Sequence, residues 1–135
     1  MTLPPMNCEA STSLFLDLAA EPASVSVARH ALAEFIAGRS LDRPAVEVAV
    51  SEAVSNAVVH AYREAGEPGR IVVRAEFADA RLRVAVSDRG LGMRPRADSP
   101  GLGLGLPLIA QLATHVDITS EDGTTVLMDF AVRDA

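Results

Sequence analysis

Apolar and polar residues alternate with period two over "SLFLDL", Ser13 to Leu18, as they do in a half-buried or edge strand. From Val25 to Ile36 the spacing changes: Val25, Ala28, Leu32, Phe35 and Ile36 fall on one helical stripe, and Gly38 supplies a stop. A second helix is predicted to start at Asp42, an N-cap type. Pro44 stands in its first turn, where a missing N–H costs nothing, and the helix runs to about Arg63. Val46, Val50, Ala53, Val54 and Ala57 form its apolar arc. No Lys or Arg occurs from Pro44 to Tyr62, so most of its circumference is expected to be buried.

"GEPG", Gly66 to Gly69, reads as a turn, and "RIVVRAEF" and "RLRVAVSD" read as two strands of a hairpin turning near Asp79. Five glycines and two prolines between Asp88 and Gly105 exclude regular structure until a short helix from about Leu106 to Ala113. "HVDITS" and "TTVLMDFAV" predict two closing strands around a turn at Glu121 to Gly123. Five strands and three helices, with the later strands grouped in hairpins, predict an α+β sandwich whose sheet is covered on one face by helices.

Composition narrows the function classes. At 135 residues and 49% hydrophobic content the chain is the size of one domain with a single core, and residues 1–11 read as a loose N-terminal tail. A net charge of -6, with 12 scattered basic residues, argues against a nucleic-acid partner. No apolar run reaches the roughly 20 residues of a membrane span. The N-terminus lacks the pattern of a signal peptide, and one cysteine, Cys8, makes no internal disulfide. The expectation is a cytoplasmic protein with no membrane association.

Candidate chemistry begins on the second helix. Glu52, Asn56 and His60 lie within about 80° of one another on its circumference, beside the apolar arc. Buried polar groups need partners, which either a protein network or a ligand supplies. "VSDRGLGM" places Asp88 at a strand end, followed by Gly90 and Gly92, where the backbone can turn and approach a ligand closely. "GLGLGLPLIAQLA" places Gly101, Gly103 and Gly105 before a helix whose N-terminal amides favour an anion. The spacing matches neither the P-loop nor the dinucleotide fingerprint. Each segment alone reads as an ordinary turn or loop, but their combination points to a nucleotide site of another kind.

The order "EAVSNAVVHAY", "DRGLG", "GLGLGLPLI" and "GTTV" resembles the N box, G1 box, G2 box and terminal threonine motif of the Bergerat-fold ATPases. Within that superfamily the chain is similar to the stand-alone anti-sigma-factor serine/threonine kinases, over nearly its whole length. The resemblance implies a mixed, mostly antiparallel sheet and the use of ATP with Mg²⁺. It further implies that Asn56 is the metal ligand, and that Glu52 is the general base for an attacking hydroxyl. Asp88 would accept from the adenine amino group, Thr124 would support adenine recognition, and Gly90, Gly92, Gly101, Gly103 and Gly105 would shape the pocket and cradle the phosphates.

His60 matches a family histidine and is read as structural. Arg29 matches an arginine that contacts protein partners, and Arg94 and Arg96 fall in the segment corresponding to the ATP lid. That lid, Met93 to Pro100, is short. Gly105 departs from the bulkier residue common in the family, and Pro107 is tolerated in the helix's first turn. The implied function is phosphorylation of a small anti-sigma-factor antagonist by an anti-sigma factor that also binds a sigma factor. The family works as a homodimer, and "SLFLDL" is the edge expected to pair. The alternative is a module that binds ATP or ADP and sequesters a regulatory partner without phosphate transfer; the presence of Glu52 favours the kinase. A histidine-kinase catalytic domain is disfavoured for want of a helix pair bearing a phosphoacceptor histidine.

Overall fold

The computed structural model describes residues 13–65, 69–88, 107–119 and 123–133. The element order is β1 (Ser13–Ala19), α1 (Ala23–Phe35), α2 (Arg43–Ala65), β2 (Arg70–Ala78), β3 (Arg81–Asp88), a short helix α3 (107–112), β4 (His115–Thr119) and β5 (Thr124–Ala131). The strands form one sheet in the order β1-β2-β3-β5-β4. Every pairing among them is antiparallel, which corrects the expected mixed sheet. The reason lies in the connections: β2–β3 is a hairpin, β4 and β5 are separated by only four residues, and the α1–α2 pair returns the chain beside β1 in the opposite direction.

Local chemistry accounts for the element ends. The Ser24 hydroxyl donates to the carbonyl of Ala19 at 2.7 Å, tying the start of α1 to the end of β1. Gly38 takes φ +84° just past α1, a conformation that costs other residues more than glycine. At α2, Asp42 acts as the predicted cap: its Oδ1 accepts from the Ala45 N–H at 3.2 Å. The β2–β3 turn uses Asp79 at φ 53° and Ala80 at φ 61°. Two left-handed residues make the tight turn whose twist matches the flanking strands.

The core lies between the sheet and the helices. Ala28, Leu32 and Ile36 from the α1 region join Val46, Val50 and Val54 of α2 and Ile109 of α3 in one buried cluster. The sheet contributes Ile71 and Val73 of β2, Leu82, Val84 and Val86 of β3, and Val126, Met128 and Phe130 of β5. The strand period of two sends intervening residues such as Arg74, Arg83 and Asp117 to the opposite face.

One expectation about α2 needs correction. Its buried positions are Ala45, Val46, Ala49, Val50, Ala53, Val54, Ala57 and Val58, a stripe facing α1 and the sheet, whereas Val48 and Val59 are 42% and 46% exposed. Over residues 43–59 the helix is therefore fully buried along one side only. Lack of basic residues reflected small and polar residues on its outer side, not full enclosure, and single exposed valines are ordinary on a protein surface.

Candidate functional site

Asp88 is the last residue of β3 and Thr124 the first of β5, and the register sets them directly opposite one another. Both side chains are on the core side of the sheet and both residues are buried, at 4% and 6% exposure. Ile71 of β2 pairs with Asp88 on its other side and is fully buried. A carboxylate and a hydroxyl are thus fixed side by side at one end of the sheet, next to an apolar wall.

The Thr124 Oγ1 is buried and has no hydrogen-bond partner among the described residues. A buried hydroxyl left so costs about 1–3 kcal/mol, which a ligand or a bound water would relieve. Together the pair can accept from an exocyclic amine and exchange a hydrogen bond with a ring nitrogen or water. That donor and acceptor set fits a flat heterocycle such as adenine.

Helix α2 holds the second group. Glu52 and Asn56 are one turn apart at the margin of the buried stripe, and both are half-buried. This agrees with the stripe read from the sequence. Glu52 opens onto a surface groove of about 680 Å³ between α1 and α2, which also takes in Arg29, Arg43, Glu47, Val48 and Ser51. Arg43 is 3.7 Å from Glu47, whereas Arg29 makes no ion pair among the described residues.

The Asn56 amide is a single neutral oxygen donor, and the described residues contain no cluster of three acidic, His or Cys side chains. Such a donor suits Mg²⁺, which retains waters and takes most of its other ligands from phosphate oxygens.

The structure thus pairs Asp88 with Thr124, and brings Arg29 and Glu52 to one groove. Gly90, Gly92, Gly101, Gly103 and Gly105, with Arg94, Arg96 and Cys8, lie outside the described residues, as does the side chain of His60. Sequence reasoning passed over Arg43, Glu47 and Ser51 on the groove. Their spacing of four on one helix face was the available signal. Ile71 was also missed, because cross-strand register is not visible in one strand's pattern.

Comparison with known proteins gives the family. The family described as the histidine kinase-like ATPase domain matches residues 18–130. The chain is 36% identical over 97 residues to a protein named serine-protein kinase RsbW from Staphylococcus epidermidis, covering 61% of each chain. It is 33% identical over 97 residues to one of the same name from Staphylococcus aureus, again covering 61% of each. The alignment therefore spans about three-fifths of the length of these relatives.

Among solved structures, the RsbU and RsbW domains of Rv1364c from Mycobacterium tuberculosis superpose with a TM-score of 0.71 at 30% identity, over 91% of this chain and 33% of that one. The histidine kinase domain of a blue-light-activated histidine kinase from Erythrobacter litoralis shares the fold, with a TM-score of 0.58 at 24% identity over 82% of this chain and 60% of that one. With motif order, sheet topology and the family match in agreement, this chain belongs to the histidine kinase-like ATPase domain family.

Proposed function

We propose that the chain is an ATP-dependent serine/threonine protein kinase that acts as an anti-sigma factor, with a small antagonist protein as substrate and a sigma factor as second partner. The observation that carries this reading is the Asp88–Thr124 pair, a buried carboxylate beside a buried, unpartnered hydroxyl on adjoining strand ends. The similarity to serine-protein kinases named RsbW supports the choice of a serine acceptor.

In this reading Asp88 accepts from the adenine amine, and Thr124 supports the ring. Gly90 and Gly92 shape the base pocket, and Gly101, Gly103 and Gly105 cradle the phosphates. Asn56 would hold Mg²⁺, which would neutralise charge on the phosphates.

Glu52 takes the proton from the acceptor hydroxyl as its oxygen attacks the γ-phosphorus. The bond from that phosphorus to the ADP oxygen breaks, and ADP leaves. Its place on a groove open to solvent, shared with Arg29, suits an acceptor presented by another protein. The phosphate left on the antagonist adds a charge of about -1.5 to -2, which weakens its hold on the kinase and frees the kinase for the sigma factor. The chain would work in the cytoplasm as a single-domain homodimer, paired through the outer edge of β1; no helix among the described residues is long and apolar enough to cross a membrane.

The test is transfer of label from γ-labelled ATP to a serine of a candidate antagonist. Wild type is expected to label it, and Glu52→Ala to lose transfer by a factor of at least about 100 while still binding ATP. Equal labelling by wild type and Glu52→Ala would remove Glu52 as the base. ATP binding with no transfer to any antagonist would favour a sequestering module.

A further inference from the structure

The two strand ends that carry Asp88 and Thr124 form the last rung of the β3–β5 ladder. A terminal rung has ladder neighbours on one side only, and Thr124 directly follows Gly123, whose φ is +97°. One residue inward, the alternation of side chains puts Ser87 and Thr125 directly opposite each other on the face of the sheet turned away from α1 and α2. Their hydroxyls are 2.9 Å apart, a hydrogen bond in which either oxygen can donate. Val72, the β2 partner of Ser87, is 6% exposed.

Further along the same face, the seam between β3 and β5 continues through Ala85 and Leu127, which offer no polar link, to an ion pair between Arg83 and Asp129. Among the described residues, the hydroxyl pair is a side-chain hydrogen bond between β3 and β5 one residue from the Asp88–Thr124 rung. It stands back to back with Asp88 and Thr124.

We infer that Ser87 and Thr125 are positioning residues for base recognition: their hydrogen bond fixes the separation of the strand ends that carry Asp88 and Thr124. The inference rests on the nucleotide reading of that pair. A carboxylate and a hydroxyl engage one heterocycle only when their spacing is held to a fraction of an ångström, and at the last rung of the ladder a side-chain hydrogen bond one residue inward adds to the backbone pairing that sets it. Because Ser87 and Thr125 face away from the helices, the hydrogen bond can be removed without opening a cavity in the core.

The experiment compares binding of ATP and ITP by calorimetry, with Mg²⁺, in wild type, in Ser87→Ala/Thr125→Val, and in the swapped pair Ser87→Thr/Thr125→Ser. ITP has a carbonyl where ATP has the amine that Asp88 accepts, so the affinity ratio reports on the placement of Asp88. Wild type is expected to prefer ATP. Removing the hydroxyl pair should lower ATP affinity by about three- to tenfold and shrink the ratio by a similar factor, leaving ITP affinity nearly unchanged. The swapped pair should recover most of the preference. An unchanged ratio in Ser87→Ala/Thr125→Val would overturn the inference, as would equal losses for ATP and ITP tracking a fall in Tm. If wild type shows no preference between the two nucleotides, the adenine reading of Asp88 itself fails, and this inference fails with it.

Discussion

Asp129 shows how much a single residue on the open face can contribute. It is 3% exposed, and its carboxylate accepts from Arg83 Nε at 3.0 Å and from Arg81 at 3.3 Å. The Arg83 hydrogen bond, with help from the charge of both arginines, holds its pKa below the usual carboxylate value against the opposing effect of burial. A depressed folded pKa contributes stability that is complete above the unfolded value, near 4, and is lost as pH falls through the folded value. Asp129→Ala should therefore cost about 1–2 kcal/mol at pH 7, reduced from the range for a buried charged pair because both arginines are nearly half exposed. Urea denaturation at pH 7 and pH 3 checks this, and the gap from wild type should narrow at the lower pH. Ala80, at φ 61°, is the opposite case. Ala80→Gly removes left-handed strain and should raise stability by about 0.5–1 kcal/mol in the same assay. Asp79 was legible as the place of the turn. The strain at Ala80 was not, because the sequence offers no glycine there to announce it.

Helix α2 shows where pattern reading holds and where it stops. Its start at Asp42 and its apolar arc followed from capping chemistry and period alone, and the structure agrees in both. Its degree of enclosure did not follow, because an Ala- and Val-rich surface looks the same whether or not a second layer covers it. The contrast is measurable. Val54→Ala, at a fully buried position, should cost about 2 kcal/mol, whereas Val48→Ala, at 42% exposure, should change stability by less than about 0.5 kcal/mol. The strands were legible from alternation because one face is solvated and the other packed. Their pairing directions were not, since direction depends on how the intervening helices return the chain.

At the scale of the whole molecule, the family was legible before the fold, because four short motifs in fixed order are more specific than any element boundary. The structure adds where two of them meet: β3 and β5, 36 residues apart at Asp88 and Thr124, are neighbours in the sheet, so the G1 aspartate and the terminal threonine share one rung. In the proposed function the glycine motifs would supply the phosphate side of the site. The central claim is that this rung reads adenine, and calorimetric titration of Mg-ATP into wild type and Asp88→Asn tests it most directly. The substitution keeps the size of the side chain but replaces one carboxylate oxygen with an NH₂ donor that opposes the adenine amine. Wild type should bind Mg-ATP, and Asp88→Asn should bind at least about 30-fold more weakly while retaining its fold by circular dichroism. Equal binding by the two proteins, or no binding by wild type, would contradict the account.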